Sequence, residues 1–205
     1  MKSWKHEWTR ALRDLEQAID LPEFAYSAGE MVYEQYENDL YPREYHNANH
    51  IYTGIDLLDE FEVETGTPLM PVVRYAWMNH DSRCVPGEKN NEECSAFLAC
   101  SIVGNLLPEN PILSTKPSFE GSTIAGRIIR DVDWSYFGLS YEEFTHVTDL
   151  IRKEYAHLSD DLWKLGRKTF LESVNPEKVF WHPHFKKKYD KNAKTNIEQA
   201  ITHLS

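Results

Sequence analysis

The sequence predicts an all-α fold, a helical bundle, on three observations. Apolar residues recur at three- and four-residue steps along most of the chain. No stretch sustains the strict alternation of a half-buried strand. The interruptions between periodic segments are loop-sized, and no internal repeat appears. At 205 residues the chain has the length of one large domain, 1–205, able to bury a full core without disulfides or a structural metal.

The elements follow in order. Trp4, Trp8, Leu12, Leu15 and Ile19 give a first amphipathic helix, whose tryptophan face either covers the core or meets a second copy. Leu21-Pro22 restarts the chain, and a second helix is expected over 22–37. After the Tyr41-Pro42 break, a third helix is expected from near His46 to about Phe61, closed by the turn Glu64-Thr65-Gly66-Thr67-Pro68. Residues 71–80 (PVVRYAWMNH) form a buried helix with Val72, Val73, Ala76 and Trp77 on one face. The loop SRCVPGEKN leads to a helix from about Asn91 to Leu106. A second polar loop, PENPILSTKPSFEG, precedes a helix over 121–133. Ser140 and Glu143 have the spacing of a capping box for a helix reaching about Ala156. Ser159 opens another helix, and the last spans 185–203.

Composition narrows the function. Hydrophobic residues at 41% and charged residues at 27% are those of a globular protein, and 13% aromatics make the core bulky. The formal charge of −11 repels polyanions, which argues against nonspecific nucleic-acid binding. It leaves room for a small phosphorylated partner, because a bound cation or focused basic side chains can reverse the local field. Cys84, Cys94 and Cys100 lack CxxC spacing, so a reducing cytoplasm is expected. No apolar run has the length of a membrane span or a signal peptide.

The chemistry-bearing residues are two histidines four apart, His46 and His50 in YHNANH, and the adjacent pair His80-Asp81. Four-residue spacing shares a face on a helix. His50 on a helix, His80-Asp81 at a helix end and an aspartate far downstream can bring two imidazoles and two carboxylates to one ion. That donor set suits Mn, Mg, Fe, Ni or Zn, as one ion or two. Asp131 and Asp133 compete as the fourth ligand. His6, His146, His157, His182, His184 and His203 have no such setting; Pro183 makes the WHPH pair loop residues without a carboxylate partner.

In this order of His, His-Asp and Asp, the chain resembles the HD-domain metal-dependent phosphohydrolases, and its YHNxxH form is similar to a motif of the cyclic-nucleotide phosphodiesterases. The closer resemblance is to small bacterial-type predicted metal-dependent HD phosphohydrolases. Their NExxSA, DxDLxxLG, IRxEY, GRxxxL and terminal ArxNL elements are matched in order by Asn91–Ala96, Asp131–Gly138, Ile151–Tyr155, Gly166–Leu171 and Ala193–Ile197. The resemblance implies an HD-type bundle with His50, His80, Asp81 and Asp133 as metal ligands and His46 as proton donor to the leaving group. Two departures stand out. Ser114–Ser118 lacks the family's Thr-x-x-His, and Trp134 replaces a Leu beside the fourth ligand, which would narrow the pocket.

The expected activity is hydrolysis of a phosphoester of a nucleotide or similar small phosphorylated metabolite. Asp81 would help orient the water nucleophile, and Glu92 would hold a water or a second ion. Arg152 would contact phosphate through its planar fork, with Lys89 and Arg83 as further candidates. Arg152 and Glu154 are two apart, so only one of them can face the site. The alternative is a catalytically weak metal-binding nucleotide sensor. Oligomeric state stays open.

Overall fold

The computed structural model describes residues 2–37, 41–104, 111–117, 119 and 123–204, and among these all regular structure is helical. The α-helices are α1 (Trp4–Leu15), α2 (Phe24–Glu37), α3 (Ala48–Thr65), α4 (Val72–Asn79), α5 (Asn91–Val103), α6 (Ile124–Asp133), α7 (Tyr141–Glu154), α8 (Asp160–Ser173) and α9 (Pro183–His203). Short 3-10 helices run over Pro111–Thr115 and Trp134–Gly138. Buried side chains from Trp4 to Ile197 form one hydrophobic cluster.

At the centre is α4. Its residues from Val73 to Asn79 are all buried, and it packs against α1, α3, α5 and α6. Such a helix has no solvent face, so the charge of Arg74 must be met internally. Its guanidinium donates to Asp59 Oδ1 at 2.7 Å and Glu62 Oε2 at 2.6 Å on α3, and to Asp14 Oδ2 at 3.4 Å on α1. The tryptophan face of α1 covers the core. Trp4 Nε1 donates to Gly29 O and Trp8 Nε1 to Ala25 O, docking α1 on α2.

The helix ends follow local chemistry. Helix α3 starts at Ala48, not near His46, because Asn47 takes the N-cap and its side chain accepts the Asn49 N–H. It runs on to Thr65, where Gly66 at φ 65° closes it. Helix α5 ends at Val103, where Gly104 is left-handed, and the expected end near Leu106 lies outside the described residues. The capping box of Ser140 and Glu143 opens α7, and Ser159 caps α8. Pro183 stands at the first turn of α9, with His182 as N-cap. The WHPH pair therefore begins a helix, and His184 Nε2 lies 3.7 Å from Glu64 Oε2. Part of the expected loop 108–121, and the expected start of α6 at 121, lie outside the described residues. No helix among the described residues is long and apolar enough to cross a membrane.

Candidate metal centre

Three helix ends meet at one point. His50 comes from the first turn of α3, His80 and Asp81 follow the last residue of α4, and Asp133 ends α6. His50 Nε2 lies 3.3 Å from His80 Nε2, 3.5 Å from Asp133 Oδ1 and 3.8 Å from Asp81 Oδ2. His80 Nε2 lies 3.0 Å from Asp81 Oδ2 and 3.6 Å from Asp133 Oδ1. The four donor atoms stand within 4.8 Å of one another. Two atoms each about 2.1 Å from a shared ion stand about 3.0 Å apart at a right angle and about 3.4 Å apart at the tetrahedral angle.

Two further observations fit a cation. Asp81 Oδ2 is buried without a hydrogen-bond partner, and a buried carboxylate oxygen is costly to leave unsatisfied. His80 Nδ1 lies 2.8 Å from Trp77 O, so its N–H donates there and Nε2 turns toward the cluster, as a metal-ligating histidine needs. Trp77 sets both imidazoles. Its indole stacks on His80 at 4.2 Å and lies 5.1 Å from His50, while its Nε1 donates to Ile51 O on α3.

The ionisation of the group shows the same demand for positive charge. Burial lowers the His50 pKa, with neighbouring His80 acting the same way and Asp133 opposing. Burial also opposes charge on His80, but Asp81 and Asp133 outweigh it and raise its pKa to about 10. Burial works against the Asp81 carboxylate too, and the facing histidines, His80 foremost, hold it well below its usual range. Asp133 is lowered, its contacts with His50 and His80 overcoming burial.

Asp131, the competing ligand, points elsewhere. Its carboxylate is fully buried and accepts the N–H groups of Trp181 and His182 ahead of α9, at 2.6 to 3.0 Å. Burial pushes its pKa up to about 7.

His46 stands beside the cluster but not on the helix of His50. It lies in the loop ahead of α3, and Glu154 of α7 fixes that loop. Glu154 Oε1 accepts the backbone N–H of Tyr45 at 2.8 Å and of His46 at 2.9 Å; Oε2 lies 2.6 Å from His46 Nδ1. Burial disfavours the imidazolium, but contacts with Cys84 and the ion pair with Glu154 more than offset it. The His46 pKa lies well above the ordinary value. Arg43 ties the same loop to the His80-Asp81 turn, donating to Asp81 O at 2.7 Å, His46 O at 3.2 Å and Ser82 O at 3.3 Å.

The cluster opens into a cleft of about 410 Å³ that His46, Asp81, Glu92, Asp133 and Arg167 help to line. Burial, with Asp81 nearby, raises the Glu92 carboxyl. Trp134 also lines the cleft, held in place by the Arg130 guanidinium 3.6 Å from its ring centre. The expectation for Arg152 is corrected. Carbonyls past the end of α7 draw its guanidinium, which donates to Tyr155 O at 2.7 Å, Leu158 O at 3.0 Å and Asp160 Oδ1 at 2.9 Å. Of the two α7 residues, Glu154 faces the site. Residue reading missed Arg43 and Arg167, although the latter lies inside GRxxxL, and it left open which of Arg152 and Glu154 faces the site. Compared with known proteins, the chain matches no family model, no curated protein and no solved structure.

Proposed function

We propose that this chain is a metal-dependent phosphohydrolase of the HD type that its motifs resemble, cleaving a phosphoester of a nucleotide or similar small phosphorylated metabolite. The observation that carries the reading is the convergence of His50, His80, Asp81 and Asp133, with Asp81 Oδ2 buried and unsatisfied at its centre. A divalent ion held there supplies Lewis acidity, polarising a phosphoryl oxygen and acidifying water.

The chain's own residues do the rest. His50 and His80 offer ring nitrogens, and Asp81 and Asp133 offer one oxygen each. Trp77 O keeps the His80 ring turned toward the ion. Departure of an alkoxide needs a proton. Glu154 holds one ring nitrogen of His46 and favours its protonated form, while His46 lines the cleft that substrate would enter. A positioned imidazolium of this kind is a general acid oriented by a carboxylate.

The test starts from chelator-stripped protein resupplied with Mn, Mg, Fe, Ni or Zn. Bound metal is measured by mass spectrometry. Hydrolysis is followed on nucleoside mono-, di- and triphosphates, cyclic nucleotides and an aryl phosphodiester. Near-stoichiometric metal and turnover are expected, both lost in Asp81→Ala. Metal without turnover on any substrate would overturn the enzyme reading in favour of the sensor. Absence of metal would overturn both.

A further inference from the structure

Among the described residues three arginines are buried, each with an unpartnered Nε, and two of them are held by contacts inside the fold. Arg74 meets three carboxylates. Arg130 lies between the rings of Trp134 and Trp181, 3.6 and 4.2 Å from their centres, and donates to Val179 O. Arg167 on α8 is different. It is 6% exposed, yet among the described residues it hydrogen-bonds a hydroxyl and not a carboxylate. Nη2 donates to Thr148 Oγ1 at 3.2 Å, the guanidinium lies 5.3 Å from the Phe170 ring centre and 6.0 Å from that of Tyr136, and Nε has no partner. No carboxylate pairs with it among the described residues. A buried cation without a counter-charge is destabilising, and Arg167, unlike Arg130, lines a cleft through which an anion can reach it.

Its position says which anion. Arg167 lines the same cleft as Asp81 and Asp133, and Tyr136, whose ring centre is 6.0 Å from its guanidinium, lines it too. Arg167 therefore shares one cleft with the cluster. Tyr155 and Trp163 also line the cleft, packed against each other at a tilt of 42° with ring centres 5.4 Å apart. Both are half-buried, and half-buried rings of this kind offer stacking faces.

We propose that Arg167 binds the substrate's phosphate from the side opposite the His/Asp cluster, and that the Tyr155–Trp163 wall takes a flat ring. The substrate class is then a phosphoester bearing a planar aromatic group, as a nucleotide does. This deepens the proposed function and rests on it for the second charge that faces the phosphate. In a chain of net charge −11, Arg167 is the focused positive side chain that a phosphate ligand requires.

The probes are methylphosphonate and the adenosine 5′-phosphonate in which CH₂ replaces the ester oxygen; the P–C bond of each survives turnover. Calorimetric titrations are run on the full chain with and without Mn. Arg167→Met should weaken both probes at least tenfold in either state. Arg167→Lys, which keeps the charge and loses the planar fork, should weaken methylphosphonate several-fold and covers the case in which the Met variant fails to fold. Trp163→Ala should weaken the adenosine probe at least fivefold and leave methylphosphonate unchanged. Unchanged affinity in a folded Arg167 variant, or no binding by the parent protein, would overturn the anion role. Unchanged adenosine-probe affinity in Trp163→Ala would overturn the ring wall. Metal content measured in parallel separates the readings. An Arg167 effect without bound metal leaves this inference standing and removes the phosphohydrolase reading, and bound metal with no Arg167 effect does the reverse.

Discussion

The residue with most leverage on the candidate chemistry is Glu154, because one buried carboxylate fixes two backbone amides and the imidazole of His46. The His46 pKa is raised, so its share of stability is complete below about 6.5, the unfolded value, and fades as pH rises through the folded value. The Glu154 pKa is lowered, contacts with His46 overcoming burial. Its share is complete above about 4.3, the unfolded value, and fades as pH falls through the folded one. The pair is thus at full strength between these limits. Glu154→Gln in metal-free protein should cost about 3 kcal/mol in that window, the scale for breaking a buried pair. The loss should shrink above it, as read by urea midpoints across pH. The His46 ring resonances should titrate at lower pH in the variant than in the parent. An unmoved His46 titration would show that Glu154 does not set its protonation.

At the scale of elements, α3 and α4 approach so closely that Gly54 decides their contact. A Cβ on Gly54 would stand 2.0 Å from Trp77 Cζ2. Helix propensity alone favours alanine over an interior glycine by about 0.5–1 kcal/mol. Overpacking costs about 1–3 kcal/mol, so the two effects oppose each other and the clash should win. Gly54→Ala should therefore lower stability in urea denaturation. Trp77 carries both His50 and His80, so metal affinity should fall too, although Gly54 touches no ligand; higher stability would refute this account. The same contact shows where sequence reading ends. Helix periods, the capping box at Ser140 and the Gly66 turn were legible because their causes are local. His50, His80 and Asp81 were legible because imidazole and carboxylate are chemically distinctive, whereas Asp133 was separated from Asp131 only by the family resemblance. The Gly54–Trp77 approach, the α7 carboxylate reaching back to the His46 loop and the unpaired charge of Arg167 arise only from packing. Arg152 and Arg167 are the same residue type, and only the fold shows that one is spent on the carbonyls past α7 while the other faces the cleft.

For the whole molecule, the His/Asp cluster should couple metal binding to folding. Its ligands lie at positions 50, 80, 81 and 133, too far apart for the unfolded chain to present together, so an ion there binds the folded state alone. At a hundredfold excess over Kd such binding adds about 2.7 kcal/mol. At roughly 2–4 °C per kcal/mol for a chain of this size, Tm should rise by about 5–11 °C on adding the preferred metal and fall back with chelator. Asp133→Ala should abolish the rise. The Arg74 network supplies the control, since it joins α4 to α1 and α3 through Asp14, Asp59 and Glu62. Arg74→Met should lower Tm with and without metal by similar amounts and preserve the metal-dependent increment, because the variant changes the scaffold and leaves the cluster intact. An equal metal-induced rise in Asp133→Ala would mean that the ion binds elsewhere, and that the buried oxygen of Asp81 is satisfied by some other partner.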